Sequence, residues 1–125
     1  MEEPADVLVD GEVAGTVTAS APRYRPRTGG QSAPEGSRFA LVKIRYDATA
    51  PLSYRAADWL VVDADGGRHP AAAAQPNEAL GEGDLEAGAA AEASLAFEVP
   101  ADVNVSAIVL RAPGGGRDLL AFRVP

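Results

Sequence analysis

The sequence has no cysteine, which excludes disulfides and thiolate metal sites alike. It has one histidine, His69, too few for a histidine-built zinc centre. Aromatic residues are scarce: Phe39, Phe97, Phe122, Tyr24, Tyr46, Tyr54 and Trp59. Much of the apolar content is alanine, so the expected core is modest. No apolar run approaches the length of a membrane-spanning helix. No basic stretch followed by an apolar one opens the sequence, so no signal peptide is expected within it. Basic residues are outnumbered, with 11 Lys and Arg against 18 Asp and Glu, leaving a net charge of −7. An acidic surface repels phosphate backbones and anionic lipid, so neither nucleic acid nor direct membrane insertion is expected.

What is present has the composition of a folded chain: 46% hydrophobic and 23% charged residues. The length of 125 residues suits one domain, with its ordered core over about 7–124. Glycine and proline cut the chain into short pieces, and the pieces between them are rich in Val, Leu, Ile and Phe. Val7-Leu8-Val9 ends at an Asp10-Gly11 turn signal, and a β-branched stretch follows over 13–19. Residues 21–35 are polar and contain Pro22, Pro26, Gly29, Gly30 and Pro34, which predicts a long mobile loop. The clearest strand covers 38–46, where Val42, Ile44 and Tyr46 share one face and Lys43 and Arg45 the other. Residues 48–58 form a connection containing Pro51. Trp59-Leu60-Val61-Val62-Asp63 is a second strand, closed by Asp63-Ala64-Asp65-Gly66-Gly67.

The 68–80 stretch reads as irregular or as a weak edge strand, because Pro70 and Pro76 bracket its alanine tract. Ala93, Leu95, Phe97 and Val99 recur at period two before Pro100; Gly88 and this alternation favour a strand over a helix across 84–97. Residues 107–112 and 119–124 form a closing hairpin around Pro113-Gly114-Gly115-Gly116. About seven short strands with no helix–strand alternation predict an all-β, immunoglobulin-like antiparallel β-sandwich. Its core should hold Val17, Val42, Ile44, Tyr46, Trp59, Val61, Leu95, Phe97, Val99, Ile108, Leu110 and Phe122.

Chemistry-bearing patterns are sparse. His69 has no evident partner to set its tautomer and reads as an exposed loop residue. None of the serines sits in the glycine-flanked elbow of hydrolases. Asp63-Ala64-Asp65-Gly66 resembles the start of a calcium loop, but the twelfth position, where a glutamate is needed, is Ala74. Asp63 and Asp65 therefore stand as weak cation candidates, with Glu78, Glu82 or Asp84 as possible companions. The triglycine lacks a following helix and reads as a loop rather than a phosphate cradle. Arg23-Tyr24-Arg25-Pro26-Arg27 interleaves an aromatic ring with arginines, a pattern able to stack on and pair with an acidic partner. Arg23, Tyr24, Arg25 and Arg27 are thus the interaction candidates. No catalytic residue and no cofactor are expected.

Four segments together resemble a known family. They are Gly36-Ser37-Arg38-Phe39-Ala40-Leu41-Val42-Lys43-Ile44-Arg45-Tyr46, Trp59-Leu60-Val61-Val62-Asp63-Ala64-Asp65-Gly66, Leu85-Glu86-Ala87-Gly88, and Ser94-Leu95-Ala96-Phe97-Glu98-Val99-Pro100. They are similar to the telokin-like, immunoglobulin-fold domain of unknown function of bacterial exported proteins and lipoproteins. The mycobacterial secreted immunogenic-protein family shares that fold. Ala48 and Ala93 depart from the asparagine and glycine common at those points. The resemblance implies an extracytoplasmic, non-catalytic module with a protein partner. It supplies no catalytic residues. A structural or accessory domain of a larger cell-surface protein is the alternative, and a small-ligand or cation-binding sandwich is a third.

Overall fold

The computed structural model describes residues 4–76, 79–112 and 117–124. The strands run in chain order β1 (Ala5–Val9), β2 (Glu12–Ala19), β3 (Arg23–Arg25), β4 (Arg27–Thr28), β5 (Gln31–Ser32), β6 (Ser37–Ala48) and β7 (Leu52–Arg55). After a single 3-10 turn over Ala56–Asp58 come β8 (Trp59–Asp63), β9 (Arg68–Pro70), β10 (Glu82–Leu85), β11 (Ala90–Pro100), β12 (Val105–Arg111) and β13 (Asp118–Arg123). The expected helix alternative over 84–97 is absent: that stretch is the end of β10, a turn and most of β11.

Two antiparallel sheets form the sandwich. One has the order β1-β2-β6-β11, with β3 also pairing β6; the other has the order β13-β12-β8-β9. Two smaller pairs, β7 with β10 and β4 with β5, extend its periphery. The all-β antiparallel sandwich expected from alternation is therefore what forms, although with 13 described strands rather than about seven. The added strands are short and lie where loops were expected. The 21–35 stretch carries β3, β4 and β5, and the 48–58 connection carries β7. Within 68–80, the regular part is β9, followed by a bridge between Ala71 and Phe97. The triglycine loop lies outside the described residues.

The core sits between the two sheets. Val42, Ile44 and Tyr46 of β6, Leu95, Phe97 and Val99 of β11, and Val17 of β2 face Trp59, Val61, Ile108 and Leu110. The β2 and β6 members alternate with exposed or half-exposed residues, as one buried sheet face requires, whereas Ala96, Leu60 and Val109 between the others are buried as well. Lys43 and Arg45 are exposed as expected. Trp59 is fully buried, and its indole Nε1 donates to Tyr46 Oη at 3.1 Å, tying one sheet to the other. Burial is the chief cause that pushes the Tyr46 phenol well above its ordinary pKa. Phe122, expected in the core, instead lies half-buried at its rim, stacked on Trp59 with ring centroids 6.2 Å apart. It belongs to β13, which is an edge strand, so one side of the ring has no neighbouring strand.

The two sides of the sandwich are finished differently. On one side the chain leaves β9, and Ala71 bridges Phe97 of β11, crossing from one sheet to the other. Ala72 N–H donates to Ala96 O, and the Gln75 side chain both donates to Ala96 O and accepts from Ala96 N–H. Leu80 N–H donates to Ser94 O. The free edge of β11 is thus covered by its own chain. On the other side β1 and β13 end their sheets, and nothing among the described residues pairs with their outer edges.

Candidate functional site

The arginine-rich candidate is divided by the fold. Arg23, Arg25 and Arg27 are exposed, whereas Tyr24 is half-buried. Tyr24 Oη accepts a hydrogen bond from Val105 N–H at 2.9 Å, and the Arg38 guanidinium lies 3.6 Å from the Tyr24 ring centre. Arg38 also donates to Val103 O and to Asn104 Oδ1. Tyr24 therefore fastens β3 to the start of β12. Arg23 lines an open groove of about 390 Å³ with Ser20, Leu41, Lys43 and Ser94. Arg25 turns back to donate to Tyr24 O.

The acidic turn is also drawn inward. Asp63 is buried, and its Oδ1 accepts from the N–H groups of Asp65 and Gly67. Its Oδ2 lies 2.7 Å from His69 Nε2. His69, expected as an exposed loop residue, is half-buried against this carboxylate, because β9 pairs with β8 and returns the ring to the turn. Asp65 is exposed. Asp84 pairs with Ser53, and Glu82 lies beside Arg55, while Glu78 lies outside the described residues. No group of three or more possible metal-ligating side chains occurs among the described residues. The chemical work visible at Asp63 is the closing of a hairpin.

The His69 hydrogen bond, and after it the Gly67 N–H, hold the Asp63 carboxyl below the usual carboxylate range. A depressed folded-state pKa contributes stability that is present above the unfolded value of about 4. That stability is lost as pH falls through the lower folded value. Asp63→Asn should therefore flatten part of the acid side of a melting-temperature-against-pH curve. Asp47 and Asp118, which Arg45 and Arg68 likewise hold down, act in the same direction. An unchanged curve would mean that the pair contributes nothing to folding.

The uncovered side has a different character. The four exposed large hydrophobic residues among those described are Leu8, Val9, Val13 and Leu119. All lie on the β1–β2 hairpin or on β13. Asp10 and Gly11, with φ of 52° and 82°, form the tight turn between β1 and β2, as two-residue hairpin loops demand. A register shift in the same hairpin pairs Val7 with Gly15 but Leu8 with Val13, leaving Ala14 as an extra residue. Ala14 is buried, whereas Val13 and Leu8 lie side by side in the open. Between the two edge strands is a slot of about 290 Å³ lined by Asp6, Val7 and Leu8 on one wall and Arg117, Leu119 and Leu120 on the other. Leu110 lies in the same slot. No local pattern marks this slot, because its walls are far apart along the chain.

A sandwich sealed on one side and open, apolar and unpaired on the other defines an all-β protein with an exposed edge surface. Two solved structures share the fold. One is a Bacillus subtilis subsp. subtilis str. 168 protein, ycdA, provisionally assigned as a lipoprotein, with a TM-score of 0.69 and 15% identity over 89% of this chain. The match covers 36% of that protein, so this chain spans little more than a third of its length. The other is MPT63, a secreted protein from Mycobacterium tuberculosis, with a TM-score of 0.57 and 14% identity. That match covers 88% of this chain and 84% of MPT63. At such identities the likeness concerns the fold. No protein-family model and no curated protein matches the sequence. No helix among the described residues is long and apolar enough to cross a membrane.

Proposed function

We propose that the chain is a non-catalytic, extracytoplasmic interaction module, a single domain of telokin-like immunoglobulin type, that docks a protein along its β1/β13 edge. The observation carrying this reading is the gathering of Leu8, Val9, Val13 and Leu119 around two unpaired strand edges. Exposed apolar side chains scattered singly need no explanation, but a cluster beside free backbone edges is a surface built for contact. The compartment is drawn from the lipoprotein and secreted protein that share the fold.

The test uses the intact chain carrying a photo-cross-linking residue at position 119, exposed to a cell-envelope extract. A discrete protein adduct is expected. It should disappear when Leu8→Asp is added, and a probe at Lys43 on the sheet face should give none. Equal capture at both positions, or capture indifferent to Leu8→Asp, would remove the edge from the function. The second reading, an accessory domain of a larger surface protein, draws on the Bacillus protein, in which this fold accounts for only part of the length.

A further inference from the structure

We infer that the open edge is a homodimer interface, in which β1 of each copy lies along β13 of the other. The inference rests on the reading of this edge as a docking surface and names its occupant. Its basis is the distribution of charge across the slot. The β1 side carries Asp6 in the wall and Asp10 and Glu12 at the turn. The β13 side carries Arg117 in the wall and Arg123 at the strand's end. None of these five makes an ion pair among the described residues.

A partner of uniform charge would be attracted to one wall and repelled by the other. A second copy avoids this. A twofold axis running along the slot sets each acidic wall against the partner's basic one. Residues that face each other across the slot within one copy then face each other across the interface. Because β1 and β13 run antiparallel, the end of β1 lies opposite the start of β13, so Asp10 meets Arg117 of the partner subunit and Leu8 meets Leu119 of the partner subunit. The same patch serves both copies, as a closed twofold interface requires. Both exposed edges are covered in one step, which is a standard way of managing unpaired strands.

The experiment is sedimentation velocity of the full chain over a concentration series. A reversible species of twice 12.8 kDa is expected. Because the charged pairs are exposed, high salt should weaken it. Asp10→Arg alone and Arg117→Asp alone should each weaken the dimer by about tenfold or more. Mixing those two variants should restore it, since in the mixed dimer both charge pairs are again opposite in sign. Both positions are exposed, and thermal melting of each variant checks that folding is intact. A monomer at every concentration overturns the inference, as does a dimer indifferent to the charge swaps. In either case, an adduct at position 119 that Leu8→Asp abolishes would still support docking of a different protein, so the two readings fail separately.

Discussion

Trp59→Ala is expected to destabilise the protein by about 3–5 kcal/mol in chemical denaturation. The indole is fully buried, and three other aromatic rings are arranged around it or through it. Tyr46 meets it edge-on at 6.4 Å, Phe122 stacks on it, and Tyr54 stacks in turn on Tyr46 at 5.2 Å. Truncation leaves a cavity at the junction of the two sheets, where backbone ladders on both sides resist collapse. It also removes the donor that Tyr46 Oη accepts. In a chain whose apolar content is so largely alanine, few other side chains could fill the space. Lys43→Ala, on the exposed face of the longest strand, should stay within about 0.5 kcal/mol of the parent. Equal stability of the two variants would show that Trp59 does not join the sheets.

Such core positions were legible because they lie on long strands with one buried face. Val42, Ile44 and Tyr46, and likewise Leu95, Phe97 and Val99, form stripes that no other element fits. The short strands offered no stripe. β4 and β5 have two residues each, β3 has three, and β7 and β10 have four. Their pairing is decided by tertiary neighbours: β3 exists because Tyr24 reaches Val105, 81 residues away. The same long-range bond explains why a ring that read as outward-facing is turned in. His69 is a similar case, since its partner Asp63 becomes adjacent only when β9 folds back on β8.

The open edge was legible only in fragments. Val7-Leu8-Val9 and the Asp10-Gly11 turn mark a hairpin, but nothing local says that its outer strand has no neighbour. Strand order is a property of the whole sheet. Val13 looks like a core residue in any window, and it is the register shift at Ala14 that carries it outward. Leu119 carries no mark of exposure either. Only the opposite side is closed, by Ala71, Ala72 and Gln75, in a stretch that reads as irregular or as a weak edge strand.

Gly15→Ala tests whether the edge is held as closely as this geometry requires. Gly15 sits in β2 between Val7 of β1 and Ala48 of β6. A Cβ there would overlap the Asp47 carbonyl oxygen and would lie 3.0 Å from both Ala48 Cα and Leu52 Cδ2. Leu52 can rotate, but the other two atoms belong to the β6 backbone and cannot move without parting the ladder. The expected loss is about 1–3 kcal/mol, as for other overpacked sites. Gly11→Ala provides the contrast. Its Cβ would meet nothing within 4 Å, so its cost comes from the positive φ alone, about 1–2 kcal/mol. The two substitutions should therefore differ in kind. Gly11→Ala should strain the turn while leaving the β2–β6 ladder intact. Gly15→Ala should displace β2, together with the β1 edge it carries, and speed amide exchange at Thr16 and Asp47, whose amides point into the β2–β6 ladder. Unchanged exchange at those two amides would mean that β1 is positioned by something other than the close approach of β2 to β6.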